Sequence, residues 1–220
     1  LGSNSGEWMA RNFTPEYADE MAETAMISGN PHTGDFLDPA DFAVLDEVWR
    51  YAWESDDELF RPRYLTDRAI DVMRELDPAR MIVHYMQPHH PFIPHFDGFE
   101  TPLHGQWLNQ WRDVRVGHVS KAEKWQQYRD NLLYVLEDVE LLLESIDADR
   151  VVISSDHGEA IGEWGIYGHY GVPLTVLREV PWIETAAADT GEYEPAFRPD
   201  VDNADPGRDV DEQLALLGYA

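Results

Sequence analysis

Cysteine is absent from the sequence and lysine nearly so, with Lys121 and Lys124 the only two lysines. The absence of cysteine excludes disulfides, thiolate metal sites and cysteine nucleophiles. No apolar run approaches the roughly 20 residues that a membrane-spanning helix needs. No basic segment followed by an apolar stretch stands near the start, so we expect no secretory signal and a cytoplasmic location.

The balance of charge is strongly acidic, because 43 Asp and Glu residues stand against 16 Lys and Arg, for a formal net charge of -27. Such a surface repels nucleic acid and anionic membranes, and we therefore expect neither as a partner. The acidic residues are spread along the chain rather than gathered in a tail. This distribution favours adaptation to multimolar salt over an ordinary acidic protein, so we expect a halophilic protein from a high-salt environment.

Hydrophobic residues make up 43% of the 220 residues, enough for a sizeable core. Segments with strand character alternate with segments of helical spacing, which predicts an α/β domain with a layered, mainly parallel sheet flanked by helices. We place this domain at residues 1–184. Residues 185–220 are predicted to be an acidic extended segment with a short terminal helix, Asp211–Leu217, that packs on the same domain.

The individual elements follow from local signals. Strands are predicted at Thr24–Ser28, Met81–Met86, Arg150–Ser155 and Val180–Glu184. Asp38 and Pro39 form a helix-start signal, and the residues behind them keep helical spacing: Phe42, Leu45, Trp49 and Ala52. Residues 87–116 are predicted to be a long loop, which is often a functional feature in a domain of this size.

The longest predicted helix covers about residues 120–146 and begins with a capping box, Ser120 and Glu123. Its hydrophobic spacing predicts an inward-facing stripe, made of Trp125, Tyr128, Leu132, Val135, Val139, Leu142 and Ile146.

Two predicted strand ends carry residues with unusual chemistry, the histidine-rich segment 84–95 and the segment Ser154–Glu159. In α/β folds, sites gather at the carboxyl ends of the strands. Asp156 and His157 offer a hard oxygen and an imidazole nitrogen, which together suit a divalent ion. Gly158 lets the backbone turn away behind them. From spacing alone, a structural turn with a capping Asp and a surface His is an equal alternative.

The run VVISSDHGEAIGEWGIYGHYGVPLTVLREVPWI (151–183) resembles the C-terminal signature of the sulfatase-like branch of the alkaline phosphatase superfamily. That signature has a strand, S-D-H-G-E, a Gly-rich segment, G-H and a closing R-x-V-P strand. HYMQPHHPFIP (84–94) is similar to the H-x-P-F/Y segment of the same group, and EQLALLGY (212–219) to its last helix. SNSGEWMARNF (3–13) is similar to the nucleophile region of haloarchaeal sulfatase-like proteins, and this similarity implies an archaeal protein. The resemblance covers most of the chain and implies the alkaline phosphatase-like fold.

This resemblance implies a role for each of five residues. Asp156 and His157 would bind metal, as ligands of one or two divalent ions (Ca, Mn, Zn or Mg). Ser5 would be the nucleophile, at a helix N-terminus where the dipole lowers its pKa. Two alternatives stay open: Ser5 only caps the helix, or Ser3 is the nucleophile. His89 and His169 would contact the anionic group of the substrate.

Three further positions near these motifs have less defined roles. Glu159 could support His157 from behind or be a solvated side chain. His90 is expected to be a supporting or surface residue. His84 lies within its strand and is expected to be buried and hydrogen-bonded rather than a ligand.

Departures from the family pattern bear on the mechanism. The family begins with an apolar strand that ends in a metal-binding aspartate, and the chain shows no such segment, so the expected fold lacks its first strand here. The sulfatase motif C/S-x-P-x-R, which matures to formylglycine, is also absent. Trp164 stands where relatives often have a histidine, which removes one candidate ligand of a second metal.

The function expected from these residues is metal-dependent hydrolysis of sulfate or phosphate esters through a covalent seryl intermediate. The substrate would be an anionic ester of a small molecule or a glycan. Two alternatives stay open: a transferase of the same superfamily that passes a phosphoryl or glycan group to an alcohol, and a degenerate metal-binding domain without catalysis.

Overall fold

The computed structural model describes residues 2–52, 60–95 and 110–197, together with residues 210 and 214. Its helices are α1 Ser5–Asn12, α2 Ala18–Ala22, α3 Thr33–Phe36, α4 Pro62–Leu76, α5 Gln110–Val116, α6 Lys121–Leu143 and α7 Thr175–Arg178. Its strands are β1 Thr24–Ser28, β2 Val44–Glu47, β3 Arg80–His84, β4 Ala148–Ser154, β5 Ala160–Ile161, β6 Tyr167–Gly168 and β7 Trp182–Ala187. In the described part of the chain, no helix combines the length and the apolar character needed to cross a bilayer.

The main sheet is parallel and has the strand order β2-β1-β3. Its register places Ser28, at the end of β1, between Glu47 of β2 and His84 of β3, so the three carboxyl ends lie at one edge. β4 pairs antiparallel with β7, and β5 pairs antiparallel with β6. The predicted α/β class with a parallel sheet and flanking helices is confirmed.

The core lies between this sheet and a layer of helices. α4 packs on β1 and β3, and α6 packs on α4 and β7, so that the two helices hold the strand groups together. The largest fully buried side chains include Trp49, Ile27, Leu65 and Ile70. The Trp49 indole donates a hydrogen bond of 2.9 Å to Thr33 Oγ1, which satisfies its polar atom inside the core.

The prediction of a helix behind Asp38 is wrong. The segment instead forms a 3-10 turn at Pro39–Asp41, the strand β2 and a second 3-10 turn at Val48–Arg50. Val44–Glu47 pairs in parallel with Ala25–Ser28, so sheet pairing outweighs the helical spacing.

Two other expectations concern the segments after residue 109. Residues 110–116 belong to α5 rather than to a loop. β7 extends to Ala187, and residues 188–197 continue without helix or strand across α4. There the carboxylate of Asp67 accepts hydrogen bonds from Tyr193 Oη and from the backbone amides of Ala196 and Phe197. The predicted terminal helix at 211–217 lies outside the described residues apart from residue 214.

Candidate active site

Ser5 lies at the start of α1, where three chain segments meet. Asn4 caps the helix by accepting a hydrogen bond from the backbone amide of Glu7. Ser5 Oγ donates a 2.6 Å hydrogen bond to Asp156 Oδ2 and lies 3.4 Å from His157 Nε2. Ser3, the alternative nucleophile, donates instead to Glu7 Oε2. The structure thus brings Ser5, and not Ser3, against the two predicted metal ligands.

The turn after β4 fixes the orientation of His157. The His157 amide donates to Asp156 Oδ1 at 3.0 Å, and its ring donates from Nδ1 to the carbonyl of Gly158 at 2.8 Å. Nε2 therefore carries the lone pair that faces Ser5. A Cβ at position 158 would come within 2.0 Å of the carbonyl oxygen of Val176, so this turn requires glycine.

The remaining histidines surround this centre. The His169 ring lies 4.3 Å from the His157 ring and 5.3 Å from the His89 ring, measured between centroids. His89 donates from Nδ1 to the carbonyl of His90, and the two rings stack. His84, at the end of β3, is mostly buried, and its Nε2 lies 3.5 Å from Asp156 Oδ2. Every site residue predicted from the sequence therefore falls in one cluster.

Glu159 contacts His169, so it is neither a support of His157 nor a solvated side chain, the two roles left open by the sequence. Its Oε2 is hydrogen-bonded to His169 Nδ1 at 2.9 Å, and its side chain is almost fully buried. β5 and β6 pair antiparallel between these two residues and so bring them together. No sequence signal points to this pair, because the contact depends on a two-residue hairpin ladder.

Burial dominates the electrostatics of the cluster. It lowers the pKa of His89 and of His169 to about 4, and it lowers the pKa of His157. It raises the pKa of Glu159 to about 7. Burial also acts to raise the pKa of Asp156, but contacts with His84, His157 and Ser5 outweigh it and hold that pKa well below its usual range. Near pH 7 the site therefore combines neutral imidazoles with an ionised Asp156.

Asn131 on α6 holds the loop that carries His89, and sequence reasoning missed it. Its side chain is completely buried. Nδ2 donates to three backbone carbonyls of the loop, and Oδ1 accepts from the backbone amide of Ile93 at 3.1 Å. The three carbonyls belong to Pro88, His89 and Pro91. One amide side chain thus replaces the regular hydrogen bonds that this loop cannot make.

Replacing Asn131 with Leu should lower the free energy of unfolding by about 2–4 kcal/mol, because it leaves buried loop carbonyls and an amide without partners. Chemical denaturation of both proteins measures the difference. Gln126→Leu is the matched control, because Gln126 lies on the same helix but is exposed and bonds only Asp130 in its described contacts. The control should change stability by less than about 0.5 kcal/mol; equal effects of the two substitutions would contradict the role of Asn131.

Asp156 and His157 fit a divalent ion as two of its ligands. Asp156 Oδ2 and His157 Nε2 lie 3.6 Å apart, a separation that suits donors sharing one ion at about 2 Å each. Within residues 2–52, 60–95 and 110–197, no group of three or more His, Asp or Glu side chains is arranged to hold a metal. Trp164, in the position where relatives often have histidine, is 90% exposed. Among the described residues, no third His, Asp or Glu side chain is therefore placed to join Asp156 and His157 as a ligand of the same ion.

No family model matches the chain. The chain is similar to a curated archaeal protein and, in fold, to a solved bacterial structure. The low-salt glycan biosynthesis sulfotransferase Agl7 of Haloferax volcanii is 32% identical over 108 residues, which is 47% of this chain and 26% of the relative. The chain therefore spans about a quarter of the length of that relative.

The solved structure is the soluble domain of lipooligosaccharide phosphoethanolamine transferase A from Neisseria meningitidis. It aligns with a TM-score of 0.52 and 13% identity, over 99% of this chain and 74% of the other. The expected alkaline phosphatase-like fold is confirmed, and so is the resemblance to the sulfatase-like branch. Both similar proteins are named as transferases.

Proposed function

We propose that this chain forms the catalytic centre of a transferase that moves an anionic sulfuryl or phosphoryl-type group from an ester donor to an alcohol of a glycan. The observation that carries the proposal is the position of Ser5 Oγ, 2.6 Å from Asp156 Oδ2 and 3.4 Å from His157 Nε2. A buried hydroxyl between a carboxylate and an imidazole nitrogen is the arrangement of an activated nucleophile. We propose transfer rather than hydrolysis because both similar proteins are named as transferases.

The first chemical step begins with Ser5. Its hydroxyl proton already points to Asp156 Oδ2, and the positive end of α1 favours the developing alkoxide. Ser5 Oγ bonds to the sulfur or phosphorus of the donor, the bond to the leaving oxygen breaks, and the serine proton passes by way of Asp156 to the leaving oxygen. The product of this step is an ester on Ser5.

The second step returns the group to an alcohol. The acceptor oxygen bonds to the same sulfur or phosphorus, the bond to Ser5 Oγ breaks, and Ser5 regains a proton. The acceptor proton passes by way of Asp156 to Ser5 Oγ, so the enzyme ends as it began. A water molecule in place of the alcohol would give hydrolysis, so excluding water decides the outcome.

His89 and His169 orient the transferred group. Their burial keeps them neutral near pH 7, so they act through directed hydrogen bonds rather than through net positive charge. Glu159 fixes the His169 ring through Nδ1. A divalent ion on Asp156 and His157 would add positive charge next to the group and further favour the serine alkoxide.

A transfer assay tests the proposal. The full chain in multimolar KCl is given 4-nitrophenyl esters of sulfate, phosphate and phosphoethanolamine, with maltose as the acceptor alcohol. Nitrophenolate release reports the first step, and mass spectrometry distinguishes modified maltose from the released anion. Modified maltose is the expected product; release of the free anion alone would support the hydrolase instead, and no release from any donor would contradict both.

A further inference from the structure

A cavity of about 500 Å³ opens beside Ser5. Its walls come from α1, from α3 and from the loop after β6. Residues on both sides of Ser5 line it, and so does His169, whose ring contacts His157 in the catalytic cluster. The volume lies within the range of about 300–1,000 Å³ that is usual for small-molecule sites. The cavity is therefore large enough, and close enough, to hold part of a substrate.

The side chains that line this cavity combine aromatic faces with hydrogen-bonding groups. Phe36 is 44% exposed and Tyr170 51% exposed, so both rings are accessible to a ligand in the cavity. Asn4 and Tyr170 add polar groups to this lining. The Glu7 carboxylate, also in the lining, is already bonded to Ser3 and paired with two arginines. Amide and phenol groups bond hydroxyl groups, and aromatic rings pack on the C–H faces of a ring-shaped polyol. Together they match a saccharide better than a purely apolar ligand.

The position of Phe36 depends on Gly6. A Cβ at Gly6 would come within 2.9 Å of Phe36 Cε2, so only glycine lets the ring lie against the backbone of α1. His32, one residue before α3, joins the ring in the same wall. The aromatic wall of the cavity is thus fixed by packing between α1 and α3.

We infer that this cavity binds the saccharide part of the acceptor and presents one of its hydroxyl groups to the group carried on Ser5. The acceptor role rests on the proposed transferase function, whereas saccharide binding itself needs no turnover. Among the described residues that line the cavity, His169 and the two neighbours of Ser5 adjoin the catalytic cluster, and Asp156 is not part of the lining.

Direct binding tests this inference. Maltose and methyl α-glucoside are titrated into the full chain in multimolar KCl and followed by saturation-transfer NMR. Ala10 is exposed and lines the cavity, so Ala10→Phe should fill it and weaken saccharide binding at least tenfold. Ala18→Phe is the control, since Ala18 is exposed on α2 and does not line the cavity, and its affinity should stay within twofold.

Tyr170→Ala gives a second measurement that does not depend on Ala10→Phe folding, because Tyr170 is half exposed. It should also weaken binding at least tenfold, with an unchanged melting temperature. The inference is overturned if the unmodified chain binds neither sugar, or if both cavity variants bind like the control.

The two proposals fail in different ways. Ser5→Ala should bind maltose as tightly as the unmodified chain. Sugar binding that Ala10→Phe abolishes, without any transfer from the nitrophenyl donors, would uphold the cavity and reject the transferase. If the unmodified chain transfers a group to maltose while the Ala10→Phe variant binds maltose normally, the transferase is upheld and the cavity is rejected as the saccharide site.

Discussion

Ser5→Ala is expected to lower kcat by about 10³-fold or more while leaving donor binding nearly unchanged. The alanine removes the only atom that forms the covalent bond, and it removes little of the surface that binds the donor. Ser5 is buried, and its Oγ bonds Asp156 and lies beside His157, so the alanine removes the hydroxyl from this point of the site. Steady-state rates with the nitrophenyl donor that the protein accepts give kcat and KM separately.

Ser3→Ala is the matched control, because Ser3 is equally buried at the same helix start but bonds Glu7. Its kcat should change by no more than a few-fold. Mass spectrometry of the peptide covering residues 3–13, taken during turnover, should show the transferred group on Ser5. Loss of activity in Ser3→Ala with normal activity in Ser5→Ala would assign the nucleophile to Ser3 instead.

The convergence of the site could be predicted from the sequence because it depends on simple strand geometry. His84 ends a parallel strand and Asp156 follows another strand, and Ser5 begins a helix. Placing the motifs at strand and helix ends was enough to predict that they meet, although β4 pairs with β7 in a separate antiparallel sheet and not in the parallel one. β1 was predicted with its observed bounds, Thr24–Ser28, because a short apolar run ending in a Gly-Asn-Pro turn has few other structures open to it.

The buried face of α6 could not be predicted in the same way. Hydrophobic spacing pointed to Leu132, yet Leu132 is 38% exposed and its neighbour Asn131 is completely buried. Three of the five residues on the buried face of the helix are polar, and the five keep helical spacing: Lys124, Asn131, Val135, Asp138 and Leu142. These polar residues are buried because they bond to loops and to other helices, and hydrophobicity alone cannot reveal such partners.

The cavity and the Glu159–His169 contact could not be predicted from the sequence either. Both depend on how short elements such as α3 and the β5–β6 hairpin pack against α1 and β4. Such elements have four residues or fewer per segment, too few for a periodic pattern. Their positions follow from tertiary contacts, for example Gly6 against Phe36, rather than from local preference.

Asp156→Asn should lower kcat/KM by about 10²-fold to 10³-fold, because it replaces the ionised carboxylate that accepts the Ser5 proton with a neutral amide of the same shape. The pKa of Asp156 is held well below its usual range, so the carboxylate is charged at any working pH and the substitution removes a full negative charge. The same change should weaken binding of Zn²⁺ or Mn²⁺ to the full chain at least tenfold, measured by isothermal titration. His157→Ala should also weaken it, since its Nε2 is the second donor.

Asp149→Asn separates these effects from a general loss of negative charge. Asp149 lies on β4 as well, but it is exposed, and the chain already carries a formal net charge of -27. Its kcat/KM and its metal affinity should match those of the unmodified protein at the same KCl concentration. If Asp156→Asn kept metal affinity but lost turnover, Asp156 would act on the Ser5 proton alone. If it kept more than about a third of kcat/KM, the carboxylate would have no part in activating Ser5, and the 2.6 Å hydrogen bond would serve only to hold the start of α1 against the turn after β4.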